Sequence, residues 1–234
     1  MRIIAAIFDC DGTLLDTEPL YDAVEQYLIN KYGNGEPLTT HVKQCIMGTP
    51  AKFNCEFLVK YFKVRISPEE FEKQRDELLV EPFKNCQFKK GARETTHKCK
   101  YQLGLKVAIA TSATLDNFNN KTFYLKDWLF QDIDLVVTGD DDRIKAGKPA
   151  PDIFLLTTKE LGVEPKYCIV FEDAANGVQA ALSAGIGIVV AVMEEEWQRK
   201  MLDNIVYDKT KSKLIVIDSL DKFDFSLIVE KNNF

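Results

Sequence analysis

The chain has 234 residues, of which 46% are hydrophobic, and a formal net charge of −6. This length suits one α/β domain or a core domain with an insert. The net negative charge argues against a nucleic-acid backbone as partner, because proteins that bind nucleic acids usually carry a basic surface. The apolar runs are too short for a signal peptide or a membrane span, and the six cysteines show neither a CxxC pair nor metal-ligand spacing. We therefore expect a soluble cytoplasmic protein with reduced thiols, no membrane partner, no zinc and no disulfides.

Strand-like apolar runs alternate with helical patterns along most of the chain. The runs cover residues 3–9, 105–111, 135–138, 167–171, 186–192 and 214–217. This alternation predicts an α/β protein whose parallel sheet is covered by helices on both faces. Ligands of such sheets bind beyond the carboxyl ends of the strands, so the residues that follow these runs are the candidates for function.

Residues 17–90 interrupt the alternation and predict a helical insert. Amphipathic patterns cover residues 21–32, 51–62 and 68–80. Ser67 precedes the last of them and is typical of a helix N-cap. We expect residues 17–90 to form an α-helical cap domain, joined flexibly at both ends to a core made of residues 1–16 and 91–234. An insert after the first strand is suited to act as a lid.

Two carboxylates, Asp9 and Asp11, end the first strand-like run and are followed at once by Gly12. Side chains at positions i and i+2 of a strand point to the same face, so both acids can converge on one bound group. Such a pair suits phosphate chemistry with a divalent cation, one acid attacking as a nucleophile while the other moves protons. A calcium loop of the EF-hand type is disfavoured, because its glycine does not directly follow the second acid.

Hydroxyl groups and a lysine follow later strand-like runs of the chain. Thr111 and Ser112 end the second run, where hydroxyl and backbone N–H groups can cradle a phosphate; the alternative is an ordinary helix cap. Lys148 stands before two prolines that stiffen the backbone, so its ammonium can neutralise charge on a phosphoryl oxygen. The alternative for Lys148 is a surface lysine beside a helix start.

Two more acids, Glu172 and Asp173, end the fourth run. Together with Asp9 and Asp11 they provide the oxygen ligands that Mg²⁺ prefers, several waters being retained. The alternative for Asp173 is a helix N-cap. The coincidence of motifs at the ends of the first, second and fourth runs, with a lysine where a helix begins, favours a phosphate site over four separate structural explanations.

Four motifs together, DxDGTLLDTE, ATSA, GKPAPDIF and VFEDAANGVQAALSAG, resemble those of the haloacid dehalogenase superfamily. The resemblance covers almost the whole chain and implies a Rossmann-like parallel sheet core with an inserted α-helical cap domain. The second aspartate, Asp11, argues against a true dehalogenase, because those members lack it and need no metal.

The resemblance also implies roles for the acids and the lysine. Asp9 matches the nucleophile that forms an aspartyl-phosphate, Asp11 the general acid/base whose backbone carbonyl also meets magnesium, and Lys148 the charge-balancing lysine. Glu172 and Asp173 match the metal-orienting acids. The expected cofactor is Mg²⁺, with Asp9, Asp11, Asp173 and Glu172 as its ligand set.

Within the superfamily the chain resembles the pseudouridine-5'-phosphatase group most, with sugar-phosphate phosphatases and β-phosphoglucomutases as relatives. The expected partner is a small phosphorylated metabolite, bound by a monomer. We expect Thr111 and Ser112 to bind its phosphate and Glu18 and Lys52 to contact the rest of it.

A phosphomutase is the main alternative to a phosphatase. Mutase relatives carry a histidine and an arginine in the cap where this chain has Tyr21 and Ala51, and Lys52 is the only nearby cation. A second phosphate would need such a cation, so hydrolysis is favoured. A non-catalytic phospho-aspartate or phosphate-binding regulatory module is a more distant alternative.

Overall fold

Six parallel strands form one sheet in the order β3-β2-β1-β4-β5-β6 in the computed structural model, which describes residues 2–229. The strands are β1 (Ala5–Phe8), β2 (Lys106–Thr111), β3 (Leu135–Thr138), β4 (Cys168–Glu172), β5 (Ile188–Val192) and β6 (Lys213–Ile217). Each predicted run contains or overlaps one strand, with ends that agree to within two residues. The α/β prediction is confirmed.

The central strand shows why both faces of the sheet are apolar. All four residues of β1 are buried. Side chains alternate along a strand, so Ala6 and Phe8 join one apolar layer while Ala5 and Ile7 join the layer on the opposite face. Burial on both sides accounts for the continuous apolar sequence of the strand.

Four helices lie in the predicted insert that follows β1. They are α1 (Glu18–Tyr32), α2 (Thr40–Ile46), α3 (Ala51–Tyr61) and α4 (Pro68–Phe83). Three match predicted helices, and the N-cap of α4 is confirmed, because the Ser67 hydroxyl accepts a hydrogen bond from the Glu70 backbone N–H at 3.2 Å. The sequence analysis missed α2, which spans only seven residues.

The remaining helices accompany the later strands. They are α5 (Ala92–His97), which continues into a π-helical segment (Lys98–Gln102), α6 (Leu115–Lys121), α7 (Lys126–Asp132), α8 (Asp152–Leu161), α9 (Ala175–Ser183) and α10 (Glu196–Met201). Within residues 2–229, no helix has the length and apolar character needed to cross a membrane.

The four inserted helices have an apolar cluster of their own, separate from the two layers that flank the sheet. It includes Leu28, Phe62, Phe71 and Phe83, all buried. A separate core of this kind supports the predicted cap, although the boundaries at 17–90 stay a prediction.

The two chain connections between cap and core run side by side. The Asp16 N–H donates to the Gln87 carbonyl at 2.8 Å, and the Lys89 N–H donates to the Leu14 carbonyl at 2.9 Å. This pairing brings the start of the cap to the edge of the sheet where β1 ends.

Candidate active site

A cavity of about 640 Å³ lies between the carboxyl ends of the strands and the cap helices. Its size is that of a small-molecule site. Seven of the residues expected to form the site line it: Asp9, Asp11, Glu18, Ser112, Lys148, Glu172 and Asp173.

The turn after β1 fixes the first acid against the rest of the site. The Asp9 N–H donates to the Phe171 carbonyl of β4 at 2.9 Å, which continues the sheet pairing to this residue. Gly12 has a φ of +79°, and a Cβ there would lie 2.2 Å from Asp173 Oδ2. Glycine is therefore required at position 12 both for the turn and for the close approach of Asp173.

Lys148 is buried against two of the acids. Its side chain is nearly inaccessible, and its Nζ donates to Asp9 Oδ1 at 2.6 Å and to Glu172 Oε1 at 2.8 Å. A third bond reaches the Ala110 carbonyl at 3.2 Å. The alternative of a surface lysine is wrong.

The two acids after β4 have different surroundings. Glu172 uses both carboxylate oxygens within the protein, since Oε1 accepts from Lys148 and Oε2 accepts from the Ala174 N–H at 2.7 Å. A Cβ at Gly177 would lie 1.6 Å from Oε1, so only glycine fits beneath this carboxylate. Asp173 accepts a bond from the Thr13 hydroxyl at 2.7 Å and does not cap α9, so the N-cap alternative is wrong.

Burial and like charge raise the pKa values of two acids in this cluster. Burial raises the pKa of Asp9 to about 7; Lys148 opposes the shift, and Glu172 adds to it. Burial, and then the charges of Glu172 and Asp9, raise the pKa of Asp173 well above its ordinary range. The cluster holds more negative charge than its lysine can balance.

The residues present fit a divalent cation. Four carboxylates, those of Asp9, Asp11, Glu172 and Asp173, face two ammonium groups, those of Lys148 and Lys121, which leaves two negative charges. No three His, Cys, Asp or Glu side chains converge as a ready metal cluster within residues 2–229. Mg²⁺ does not require one, because it is usually held by one or two carboxylates and several waters. Asp9 and Asp173 suit that task best, because the oxygens of Glu172 and Asp11 are engaged elsewhere.

Asp11 is held by a lysine that the sequence analysis did not find. Lys121, in the last turn of α6, has a fully buried side chain whose Nζ lies 2.6 and 2.7 Å from the two Asp11 oxygens. The Thr17 hydroxyl donates to the same carboxylate at 2.7 Å, and the Thr111 hydroxyl lies 3.4 Å from it. Three groups thus fix the orientation of Asp11.

The hydroxyl motif divides between two environments. Ser112 lines the cavity, as expected of a phosphate ligand. Thr111 is buried behind Asp11, accepts from the Ala113 N–H at 3.1 Å and is absent from the cavity wall, so the structure does not bring it to the cavity as expected. The cap of the following helix is Thr114, which accepts from the Asn117 N–H at 3.3 Å.

The two predicted cap contacts also differ. Glu18 begins α1 and lines the cavity. Lys52 is exposed on α3 and is not part of the cavity wall, so the structure does not bring it to the expected position. Ala51 and Asn54 occupy the wall on that helix instead, because residues three apart share a helix face.

Direct contacts hold the cap over the sheet edge. The Asn117 side-chain amide donates to Asp76 Oδ2 at 3.1 Å, and the Asn176 amide donates to the Met47 carbonyl at 3.3 Å. A Cβ at Gly48 would lie 2.5 Å from the Ala174 Cβ, so the cap loop approaches the core closely there. These contacts leave the cavity between the cap and the core, with residues of both in its wall.

The parallel sheet, its strand-end acids and the inserted cap define a class of hydrolases. A sequence model of the haloacid dehalogenase-like hydrolases matches residues 3–185 of the chain. The chain belongs to this family.

Similar proteins narrow the class to phosphatases. A Drosophila melanogaster protein named "Probable pseudouridine-5'-phosphatase" is 34% identical over 192 residues, which span 81% of each chain. A "Phosphorylated carbohydrates phosphatase" of Thermotoga maritima is 35% identical over 190 residues, covering 81% of this chain and 85% of that one. This chain is therefore a phosphoric monoester hydrolase.

A solved structure agrees with the fold. The β-phosphoglucomutase of Clostridium difficile matches with a TM-score of 0.77 over 97% of this chain and 96% of its own, at 22% identity. This similarity supports a Rossmann-like core with a helical cap and says nothing of the reaction.

Proposed function

We propose that the protein is a magnesium-dependent phosphatase that hydrolyses a small phosphate monoester through an aspartyl-phosphate on Asp9. The observation that carries the proposal is the pairing of Asp9 with buried Lys148, at 2.6 Å, at the floor of a capped cavity that also contains Asp11. Sugar phosphates and pseudouridine 5'-phosphate are the leading substrates, because similar chains carry those names.

Two acids divide the work of the proposed reaction. An Asp9 oxygen attacks phosphorus while the bond to the leaving oxygen breaks, and Asp11, which enters this step protonated, donates its proton to that oxygen. Asp11 then takes a proton from the water that attacks the aspartyl-phosphate, which releases phosphate and restores both carboxyl groups. Lys148 remains protonated and neutralises charge on Asp9 and on the phosphoryl oxygens.

Magnesium, when bound by Asp9 and Asp173, supplies positive charge to the phosphoryl oxygens. Ser112 and Ala113 border the same cavity. Closure of the cap keeps bulk water from the reacting atoms.

The charge of the cavity wall favours hydrolysis over a phosphomutase reaction, which would have to hold a bisphosphate intermediate. Four cations line the cavity, and each has a carboxylate partner: Lys43 with Asp22, Arg75 with Asp76, Lys89 with Glu194 and Lys148 with Asp9. A second phosphate would have to displace one of these partners, at the expense of an existing ion pair.

A panel of phosphate monoesters tests the proposal. We expect release of inorganic phosphate from a sugar phosphate or pseudouridine 5'-phosphate with MgCl₂, and a loss of that release with EDTA. β-Glucose 1-phosphate with a trace of its bisphosphate should yield phosphate or no reaction. Accumulation of glucose 6-phosphate without phosphate release would favour the mutase instead.

Asp173→Asn should stabilise the metal-free protein. The pKa of Asp173 is higher in the folded state than in the unfolded state. At pH values above the ordinary aspartate pKa, the folded protein therefore binds more protons than the unfolded protein, and its stability falls as the pH rises. Removing the charge should raise the melting temperature in EDTA near about pH 8 by roughly 2–4 °C, the shift that about 1 kcal/mol produces at this size.

Thermal melts with EDTA and with MgCl₂ check this prediction. The gain from Asp173→Asn should be smaller near about pH 5, because the raised pKa lets the folded carboxyl take up its proton at a higher pH than the unfolded one does. MgCl₂ should stabilise the wild type more than the variant. A variant that is less stable in EDTA at both pH values would contradict the charge imbalance.

A further inference from the structure

Glu25 is a buried acid on α1 that faces the cavity without a protein partner. Its side chain is 4% exposed, it lines the cavity, and it forms no hydrogen bond or ion pair with any residue in 2–229. No fully buried side-chain nitrogen or oxygen in that part of the chain lacks a partner. The Glu25 oxygens therefore keep access to the cavity, where a bound molecule can reach them.

The cations nearest Glu25 are engaged with other groups. Arg75 bonds Asp76 Oδ1 at 2.8 Å and contacts the Cys55 sulfur at 3.2 Å, while Lys43 pairs with Asp22. Burial raises the pKa of Glu25 to about 7, Arg75 opposes the shift, and Asp22 adds to it. An acid placed in this way is costly to bury unless something donates to it.

Glu25 stands on the cap side of the cavity, away from the acids of the sheet. Tyr21 lies one helical turn earlier, and the centre of its ring is 5.8 Å from Lys121 Nζ, next to Asp11, and 5.7 Å from the Arg75 guanidinium. Contacts thus connect Asp11 through Lys121 and Tyr21 to Arg75 in the cap, and Glu25 lies on the same helix as Tyr21.

We propose that Glu25 recognises a hydroxyl or N–H donor on the leaving group, and that it selects an uncharged, hydroxyl-rich alcohol over one with a second anionic group. The proposal rests on the phosphatase function proposed above and specifies its substrate class. A carboxylate accepts such donors and repels a phosphate or carboxylate. The cavity, about 640 Å³, has room for a sugar or a nucleoside.

Two variants, Glu25→Gln and Glu25→Leu, test the assignment in the full-length protein. Glutamine keeps the shape and one acceptor but removes the charge, and leucine removes every acceptor. Glu56→Gln is the matched control, because Glu56 is an exposed glutamate of the same cap that does not line the cavity. Melting temperatures show whether each variant folds.

The substrates are chosen to separate recognition of the leaving group by Glu25 from the phosphoryl-transfer step. Phenyl phosphate has a leaving group without additional donors, pseudouridine 5'-phosphate and hexose monophosphates carry many, and fructose 1,6-bisphosphate carries a second anion. We expect kcat/KM for the best donor-rich monophosphate to fall about 10-fold or more in Glu25→Leu and by less in Glu25→Gln. Phenyl phosphate should change less than about threefold.

Removal of the Glu25 charge should also weaken the discrimination against substrates with a second anionic group. Activity on fructose 1,6-bisphosphate, relative to the best monophosphate, should rise several-fold in both variants and not in Glu56→Gln. Equal losses on all substrates, or no loss on the donor-rich ones, would overturn the role of Glu25. A wild type that hydrolyses none of them, phenyl phosphate included, would instead overturn the phosphatase function and the substrate class with it.

Discussion

Asp9→Asn is expected to lower the rate of phosphate release to less than about a hundredth of the wild-type rate. Asparagine has the shape of aspartate but is a poor nucleophile, so the covalent step is lost. It also removes one of the two carboxylates suited to Mg²⁺ and one of the two carboxylate partners of Lys148, which then keeps Glu172 and the Ala110 carbonyl.

Phosphate release at saturating substrate and MgCl₂ measures the effect, with Asp127→Asn as the control. Asp127 is an exposed aspartate of α7 far outside the cavity wall, and its replacement should leave the rate unchanged. Acid-quenched wild type should carry phosphate on the chain, and Asp9→Asn should carry none. A folded Asp9→Asn protein with more than about a hundredth of the normal rate would refute the nucleophile.

The sheet and the acids at its edge were predictable because both follow local rules. Apolar runs of strand length marked β1 to β6 to within two residues of their ends. The rule that ligands bind beyond parallel strands then directed attention to Asp9, Lys148 and Asp173, which the structure brings to one cavity. Each lies next to a strand or a helix start, so its location depends little on the rest of the fold.

The cap was less predictable, because a helix pattern does not give the direction of individual side chains toward a distant sheet. Successive residues on a helix differ by about 100° in direction, so Ala51 lines the cavity while Lys52 is exposed. For this reason the sequence pattern could not show that the Lys52 side chain lies outside the cavity wall. Glu25 was missed in turn, because an acid in an amphipathic helix normally faces solvent.

Lys121 was missed for a related reason. It is one of 30 basic residues, and no motif surrounds it. Its importance arises only when α6 packs beside the end of β1 and brings its Nζ within 2.7 Å of both Asp11 oxygens. Burial of its side chain disfavours the charged form, yet the neighbouring Asp11 raises the pKa of Lys121, so it remains an ammonium group.

Lys121→Met is therefore expected to lower kcat about 10-fold or more while changing KM little, because Asp11 loses the group that fixes its orientation. Methionine fills a similar apolar volume, and the rings of Tyr21 and Phe83 already lie 5.8 and 5.4 Å from the lysine nitrogen. Lys126→Met is the control, since Lys126 is an exposed lysine of the next helix.

The choice of leaving group separates a positioning role of Lys121 from a purely structural one. An alkyl alcohol needs the proton that Asp11 donates, whereas p-nitrophenolate leaves without it. Formation of the aspartyl-phosphate, followed in rapid-quench experiments, should slow about 10-fold more in Lys121→Met for a sugar phosphate than for p-nitrophenyl phosphate. Equal slowing for both substrates, together with a lower melting temperature, would mean that Lys121 only supports the fold. Unequal slowing with an unchanged melting temperature would mean that it acts through Asp11.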